Sequence, residues 1–367
     1  MILEKKTLVF IRWVAASIFL LAFASCASAL QFTKKPYLQH VTTDSIIICW
    51  ETDEVSAGRI EYGATTELGG AADATGADTF HEVRLERLKP DTRYYFKVEA
   101  EGLTHKGVFR TAPLPGTPFR FIVYGDFRVS EVEMRMVRKM LKEKPDIFVT
   151  VGDYLSDGTK PELWPPLFRT IGPLIQKAPY YVSLGNHEQD GSLYFKYFAM
   201  PGNERWYSFD YGSAHFVALD SNMPYLLDPK QKKWLTDDLK AARKNPETAF
   251  VFAYFHHPPY GTGGRHGNPQ VAGQWGPVFE KYRVDAVFCG HEHHYERNVV
   301  NGITYVTSGG GGAGLYEFKY EEPYSVKRAM RYHYVVFDVG EDVVSAKAVA
   351  LEGEILDEFE LASQAGK

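Results

Sequence analysis

The stretch RFIVYGD, residues 120–126, sets the pattern of this sequence: an apolar run of strand composition ends on a glycine and an aspartate. The pattern recurs in DIFVTVGD (146–153), YYVSLGNHE (180–188), TAFVFAYFHH (248–257) and VDAVFCGHEH (284–293). Each apolar run predicts a buried strand that ends on carboxylate, amide or imidazole side chains. Because an open α/β sheet places its site at the carboxyl ends of its strands, these segments predict a single site.

Helical patterns separate these strands. Residues 130–144 carry apolar side chains at helical spacing after Ser130, a suitable N-cap, and residues 228–243 repeat that spacing. Alternating strands and helices predict a layered α/β domain with a largely parallel central sheet. Residues 332–361 return to strand-like alternation, which adds antiparallel strands to this domain.

The region that precedes this domain has an all-β pattern. SIIICWE (45–51) and RYYFKVEA (93–100) are β-rich runs of strand length with turn signals between them. The run L-x-P-x-T-x-Y at 88–94 resembles the tyrosine corner of fibronectin type III sandwiches. We therefore predict a fibronectin type III-like domain over 30–112, a proline-rich linker over 113–118 and the α/β domain over 119–367.

The first residues predict export. A basic segment is followed by the apolar run WVAASIFLLAFA (13–24) and by Ala27-Ser28-Ala29, the pattern of a signal peptide that ends at residue 29. The run is too short to span a bilayer comfortably, so we expect no transmembrane span in the mature chain. A signal anchor and a lipid anchor at Cys26 are the alternatives; the favoured location is periplasmic or extracellular.

Composition narrows the class of protein. The 367 residues are 45% apolar and 24% charged, as in an ordinary globular protein, and the length suggests two domains. A net charge of -5 gives no support for nucleic-acid or membrane-surface binding by bulk electrostatics. Cys49 and Cys289 fall in different predicted domains, so we expect buried thiols and no disulfide framework.

The residues at the strand ends form the inventory of a dinuclear metal site. A carboxylate can bridge two ions, and imidazole suits Fe, Mn and Zn. Six of the twelve histidines lie between residues 256 and 294. The predicted ligands are Asp126, Asp153, Asn186, His256, His291 and His293.

Three longer motifs make a resemblance specific. The sequence GNHE stands at 185–188, G-H-x-H-x-Y-E-R at 290–297, and H-x-P-x-Y at 256–260. The chain resembles purple acid phosphatases of the calcineurin-like metallophosphoesterase superfamily, over nearly the whole length that follows the predicted signal.

The resemblance implies a role for each candidate residue. Metal one would take Asp126, Asp153 and His293. Metal two would take the bridging Asp153 with Asn186, His256 and His291. His187 would contact the phosphate, and His266 in the glycine-rich segment 261–267 would protonate the leaving group. Arg128 is a further candidate for binding a phosphate oxygen.

The chain departs from this family at metal one. Purple enzymes carry Gly-Asp-x-x-Tyr, whereas Ser156 occupies the tyrosine position in this chain. The wider superfamily has Asp-x-His at the first motif, where this chain has Arg128. Tyr154 lies close by, and the sequence leaves open whether it turns toward the metal. We predict an enzyme without the purple colour, with Fe, Mn or Zn in a site that lacks a firmly bound ferric ion.

The predicted function is hydrolysis of small-molecule phosphoesters in the manner of an acid phosphatase. Two metal ions would activate water for in-line attack on phosphorus. A phosphodiesterase or nucleotide hydrolase that uses the same site is one alternative. A secreted binding protein with a degenerate metal-one site is another.

Overall fold

The computed structural model describes residues 29–363. The predicted signal peptide, apart from its last residue, and Cys26 lie outside the described residues. Within the described range, no helix combines the length and apolar character needed to cross a membrane.

The region before residue 111 is all-β, as predicted, and its strands pair antiparallel in two sheets of order β1-β2-β5 and β4-β3-β6-β7. The strands are β1 Phe32–Gln39, β2 Ile46–Ser56, β3 Arg59–Gly63, β4 Gly70–Asp73, β5 Asp78–Leu85, β6 Arg93–Ala100 and β7 Leu103–Arg110. The hydroxyl oxygen of Tyr94 accepts a hydrogen bond from the backbone N–H of Lys89 at 3.0 Å. A tyrosine corner makes this kind of contact, although the likeness to fibronectin type III stays a prediction.

The rest of the described chain is α/β. Its strands are β8 Phe119–Tyr124, β9 Ile147–Thr150, β10 Tyr180–Tyr181, β11 Tyr207–Tyr211, β12 Ala214–Ala218, β13 Phe250–Tyr254, β14 Ala286–Cys289, β15 Tyr295–Val300, β16 Ile303–Ser308, β17 Ser325–Ala329, β18 His333–Val339, β19 Val343–Ala350 and β20 Ile355–Ala362. Its helices are α1 Glu131–Glu143, α2 Trp164–Ile175, α3 Ser192–Tyr197, α4 Pro229–Ala242 and α5 Pro269–Lys281, with short 3-10 turns at Pro161–Leu163 and Tyr225–Leu227. Ser130 caps α1 by accepting the N–H of Glu133, as its sequence position predicts.

These strands form two mixed sheets, in agreement with the predicted fold of layered β-sheets flanked by helices, and the parallel strands are divided between the two sheets. The first has the order β10-β9-β8-β18-β19-β20, and the second has the order β11-β12-β13-β14-β16-β15-β17. Strands β8, β9 and β10 are parallel in the first sheet, and β12, β13, β14 and β16 are parallel in the second. The remaining pairings are antiparallel, which gives each sheet a parallel part bearing the site motifs.

Phenylalanine side chains fill the space between the two sheets. The Phe121 ring of β8 lies 5.2 Å from Phe216, 5.5 Å from Phe252 and 5.8 Å from Phe288, measured between ring centroids. Those three residues belong to β12, β13 and β14 of the opposite sheet, and all four are fully buried. Face-to-face packing therefore holds the motif-bearing strands of both sheets in register.

Candidate metal centre

The carboxyl ends of the parallel strands from both sheets meet at one site. Potential ligand atoms of Asp126, Asp153 and His293 all lie within 4.8 Å of one another. His256, His257 and His291 form a second group that meets the same criterion. The first group joins residues that follow β8, β9 and β14, and the second joins residues that follow β13 and β14.

Tight turns that follow the strands orient the side chains of Asp126 and Asp153. Asp126 and Asp153 both adopt a left-handed backbone with φ of 58°, a region that aspartate tolerates better than most residues. Gly152 precedes Asp153 with φ of 90°, and a Cβ there would approach the backbone nitrogen of Gly185 to 2.6 Å. The Gly-Asp pair thus lets neighbouring motif loops pack backbone against backbone.

On the metal-one side, hydrogen bonds orient the carboxylate and the imidazole. The backbone N–H of His291 donates to both carboxylate oxygens of Asp126, at 3.0 and 2.9 Å. His293 donates from Nδ1 to the carbonyl oxygen of Gly314 at 2.7 Å, and its Nε2 lies 3.3 Å from Asp126 Oδ1. A bond from Nδ1 to a carbonyl leaves the Nε2 lone pair free for a metal ion.

On the metal-two side, four potential ligand atoms converge. His256 Nδ1 donates to the carbonyl oxygen of Val151 at 2.7 Å. Its Nε2 lies 3.1 Å from Asn186 Oδ1, 3.3 Å from Asp153 Oδ1 and 3.0 Å from His291 Nδ1. Carboxylate, amide and imidazole donors at this spacing fit a divalent transition-metal ion.

The electrostatics of the site favour positive charge. Burial by itself would raise the pKa of Asp153, but His256 and His187 beside it hold that pKa well below its usual range. Burial by itself would lower the pKa of His256, but Asp153 and Asp126 raise it to about 9. Burial, together with His256, lowers the pKa of His291. The carboxylates beside His256 thus favour a positive charge at this position, which a bound metal ion would supply.

Glu188, the last residue of the GNHE motif, ties two motif loops together. Its carboxylate accepts the backbone N–H groups of Asp153 at 2.9 Å, Tyr154 at 2.9 Å and Gly185 at 2.7 Å. Burial, followed by the charge of Asp153, raises its pKa to about 8. The sequence analysis gave Glu188 no role, and its place at the end of the GNHE motif is the only feature of the sequence that points to one.

Arg128 and His187 stand together at the mouth of the site. An Nη atom of Arg128 lies 2.6 Å from His187 Nε2 and 3.3 Å from Asp153 Oδ2. His187 donates from Nδ1 to the carbonyl oxygen of Ser156 at 2.7 Å, so its Nε2 accepts the arginine proton. Both side chains keep about a quarter of their surface exposed, at 28% and 26%. They therefore face solvent beside the buried ligands.

Tyr154 points away from the metal ligands. Its hydroxyl lies 2.8 Å from Thr150 Oγ1 and donates to the carbonyl oxygen of Ser183 at 2.7 Å. The side chain is fully buried, and burial raises its pKa well above the usual value. The question that the sequence left open is thus resolved: Tyr154 packs into the core, and Ser156 offers its carbonyl to His187.

His266 lies on the loop 261–267, with its ring turned to a glutamate. His266 Nε2 is 2.6 Å from Glu322 Oε1, and its ring stacks on Tyr320 at 4.1 Å. Hydrogen bonds hold this glycine-rich loop in place: Glu296 accepts the backbone N–H and the hydroxyl of Thr262, at 3.0 and 2.8 Å. The imidazole of His266 therefore contacts Glu322 and Tyr320, on the side of the site where the loop 261–267 lies.

The chain is similar to known phosphoesterases and acid phosphatases. The family model described as calcineurin-like phosphoesterase matches residues 119–295. Probable purple acid phosphatase 20 of Arabidopsis thaliana is 28% identical over 297 residues, covering 72% of this chain and 69% of the relative. Acid phosphatase type 7 of the mouse is 30% identical over 247 residues, covering 59% of this chain and 56% of that protein.

Similar solved structures support the fold. The purple acid phosphatase PPD1 from yellow lupin seeds matches with a TM-score of 0.80 at 19% identity, covering 89% of this chain and 74% of the lupin chain. At this identity the likeness concerns the fold alone.

Proposed function

We propose that the protein is an exported, acid phosphatase-like hydrolase with a dinuclear metal site, because residues 119–295 match the family model of calcineurin-like phosphoesterases. One observation carries the proposal: the two ligand groups meet at Asp153. Its Oδ1 lies 3.3 Å from His256 Nε2, and its ligand atom lies within 4.8 Å of those of Asp126 and His293. A buried carboxylate between two such groups is placed to bridge two ions.

The ligand set fits two metal ions, each with open positions. Metal one would bind Asp126, Asp153 and His293. Metal two would bind Asp153, Asn186, His256 and His291. When bound, such a pair supplies an activated water and positive charge beside the phosphate. Imidazole and carboxylate donors are compatible with Fe, Mn and Zn, and the set does not select among them.

The residues at the mouth of the site would hold the phosphate. Arg128 and His187 are partly exposed and point at the same carboxylate, Asp153. A phosphate oxygen that entered between them would accept hydrogen bonds from the guanidinium of Arg128. It would also exclude bulk water from the side that faces Asp153. Such donors stabilise charge that develops on the phosphoryl oxygens during in-line attack.

We retain His266 as the residue that would protonate the leaving group, with the added requirement that its ring must first move. With Glu322 at 2.6 Å, the ring is held on the loop side of the site. To donate a proton to a leaving oxygen, the side chain would have to exchange Glu322 for the substrate. Export rests on the sequence of residues 1–29 alone.

The test is a matched pair of substitutions in one loop. We expect Asp153→Asn to lower metal-dependent turnover of p-nitrophenyl phosphate more than about 100-fold, since even groups that only orient a ligand contribute about 10- to 100-fold. Asp157→Asn is the control, because that carboxylate caps Thr159 within its own turn. Its turnover should stay within about twofold of the unaltered enzyme. Turnover by Asp153→Asn at the level of the control would contradict the proposal, and a binding protein would show no turnover in any form.

A further inference from the structure

A cavity of about 320 Å³ opens beside the metal-two ligands. Asn186 and His257 are among its lining residues, and Asn186 Oδ1 lies 3.1 Å from His256 Nε2, so we call this part of the cavity its inner end. Its size lies near the lower limit of ligand pockets, about 300 to 1,000 Å³, so it can hold one small group.

The cavity offers neutral donors and acceptors. Asn222 uses its amide nitrogen on Asp220 Oδ1 and Gly185 O, which leaves its Oδ1 as an acceptor among the described residues. Asn268 uses its Oδ1 to cap α5, which leaves its amide nitrogen as a donor within residues 29–363. Gln270 is exposed at the first turn of α5. An alcohol with several hydroxyl groups can pair with such a set.

His257 adds a donor at the inner end. The backbone N–H of His257 donates to Ser221 Oγ at 3.0 Å, so the hydroxyl proton is directed to His257 Nδ1, 2.8 Å away. This places the ring proton on Nε2. The ring lies 4.3 Å from that of His291, between the metal-two ligands and the cavity. His257 is therefore placed to position the oxygen through which an alcohol is joined to phosphorus.

The lining carries no cation for a second anionic group. None of the described lining residues is lysine or arginine, and Asp190 is a carboxylate. The neighbouring Arg205 is already shared between Asp190 at 2.5 Å and Asp220 at 2.7 Å. Its guanidinium also lies over the Tyr225 ring at 3.7 Å. An incoming phosphate or carboxylate would meet the carboxylate of Asp190, and the nearby arginine is already paired with Asp190 and Asp220.

Cationic side chains line a different cavity. Arg265 and Lys319 border a space of about 340 Å³ beyond Tyr316, whose ring stacks on His293. Glu292 and Glu317 line that space as well. The two cavities therefore differ in their cations: the described lining of the cavity beside metal two has none.

We propose that the cavity beside metal two binds the alcohol part of the substrate, and that this part is uncharged and rich in hydroxyl groups, such as a sugar ring. Met223 and Leu226 give it an apolar wall for the carbon face of a ring. The inference rests on the proposed hydrolase function. In that reaction water bonds to phosphorus, the bond from phosphorus to the alcohol oxygen breaks, and the alcohol leaves with one proton of that water.

The test compares two esters of similar size. Glucose 6-phosphate has an uncharged far end, whereas 6-phosphogluconate ends in a carboxylate. We expect kcat/KM to be about tenfold higher for glucose 6-phosphate, since the carboxylate of the second ester would lie near Asp190 with no cation in the described lining to pair with it. Gln270→Lys should lower this ratio about fivefold or more by adding a cation to the cavity. Gln274→Lys, one turn further along α5 and outside the lining, should leave it unchanged.

A binding measurement separates this inference from the hydrolase proposal. The non-hydrolysable phosphonate analogues of both esters are titrated calorimetrically into the metal-loaded protein, where the same preference should appear in Kd. The subsite would be overturned if the two esters had equal kcat/KM values and their two phosphonate analogues had equal Kd values. It would also be overturned if Gln270→Lys left the ratio of the two kcat/KM values unchanged. Absence of p-nitrophenyl phosphate turnover with the Kd preference intact would instead count against the hydrolase function and support the subsite.

Discussion

At the scale of single residues, the site depends on carboxylates that have different tasks. Asp153 presents its oxygens to both ligand groups, whereas Glu188 uses its oxygens on three backbone N–H groups. Both are buried, and the imidazoles of His256 and His187 lie beside Asp153. Glu188 therefore holds together the loops that carry Asp153 and Asn186, whereas Asp153 is the proposed metal ligand.

Glu188→Gln tests this positioning role. The amide nitrogen of glutamine cannot accept a backbone N–H, so at least one of the three hydrogen bonds is lost. We expect metal affinity to fall about 10- to 100-fold, with turnover recovering at excess metal. The measurement is a metal titration followed by p-nitrophenyl phosphate hydrolysis, with the exposed Glu162→Gln as control. If the metal affinity of Glu188→Gln equals that of the unaltered protein, the positioning role of Glu188 is contradicted.

Tyr154 carries the prediction about colour. A tyrosinate ligand to ferric iron gives purple enzymes their colour, but the hydroxyl of Tyr154 is bound to Thr150 and Ser183 in the core. We expect the iron-loaded protein to lack an intense tyrosinate charge-transfer band in its visible spectrum. A strong band that Tyr154→Phe abolishes would show that the side chain leaves the core to bind iron.

The sequence was informative about which residues meet and less so about how they point. Ligand types at strand ends identify Asp126, Asp153 and His256, because a strand fixes the place where its last residue emerges. The left-handed backbone of Arg128, with φ of 50°, turns its side chain toward His187, and no spacing rule predicts such a backbone. The orientation of Tyr154 depends likewise on packing in three dimensions.

At the scale of elements, the strand ends require close backbone approach. Residues 309–312 are four glycines after β16, which the sequence suggests to be a flexible turn. In the structure they pack tightly: a Cβ at Gly311 would come within 2.3 Å of the carbonyl oxygen of Gly125, and one at Gly309 within 3.1 Å of Asp126 Oδ2. The glycines thus allow this loop to lie against the metal-one turn, a reason visible only when both loops are placed.

His215 of β12 links strand β11 of the second sheet to helix α4, and its ion pairs predict a dependence of stability on pH. Its Nδ1 lies 2.7 Å from Asp210 of β11, and its Nε2 lies 2.9 Å from Asp238 of α4. Burial lowers its pKa, but the two carboxylates outweigh burial and raise it to about 9, from 6.5. Since the folded pKa is the higher one, the stabilisation is complete below pH 6.5 and is lost as pH rises through 9.

We therefore expect His215→Gln to destabilise the protein by on the order of 2 kcal/mol at pH 6, with the difference shrinking above pH 9. Urea unfolding at pH 6, 7.5 and 9.5 measures this. His105→Gln is the control, because burial lowers the pKa of His105 and leaves it neutral above pH 7. A difference between His215→Gln and the unaltered protein that stays constant from pH 6 to 9.5 would contradict the ion-pair interpretation.

At the scale of the whole molecule, the β region and the α/β region share one hydrophobic core. Tyr37 of β1 donates to the carbonyl oxygen of Tyr197 at 2.6 Å. The Tyr181 hydroxyl accepts the N–H of Val41 and donates to its carbonyl oxygen, at 3.1 and 3.0 Å. The predicted boundary at 113–118 marks the change in strand pattern, but the packing across it was invisible to sequence periodicity.

The same holds for the division into two sheets. The strands that carry the site motifs were recognisable from their apolar runs, and the layered α/β class followed from the alternation of strands and helices. Which strands pair depends on contacts such as those of Phe121 with the opposite sheet. A periodic pattern tells which residues are buried but not which partner buries them, so the order of the strands in the two sheets could not be predicted.

The most direct test of the dinuclear site is the dependence of turnover on metal content, measured on a single preparation. The protein is stripped with a chelator, then titrated with Mn, Zn or ferrous iron while bound metal and p-nitrophenyl phosphate hydrolysis are recorded. We predict no turnover in the stripped protein and full turnover near two ions per chain, because Asp153 serves both positions. Full turnover without metal, or no turnover at two bound ions of any of these metals, would contradict the dinuclear hydrolase.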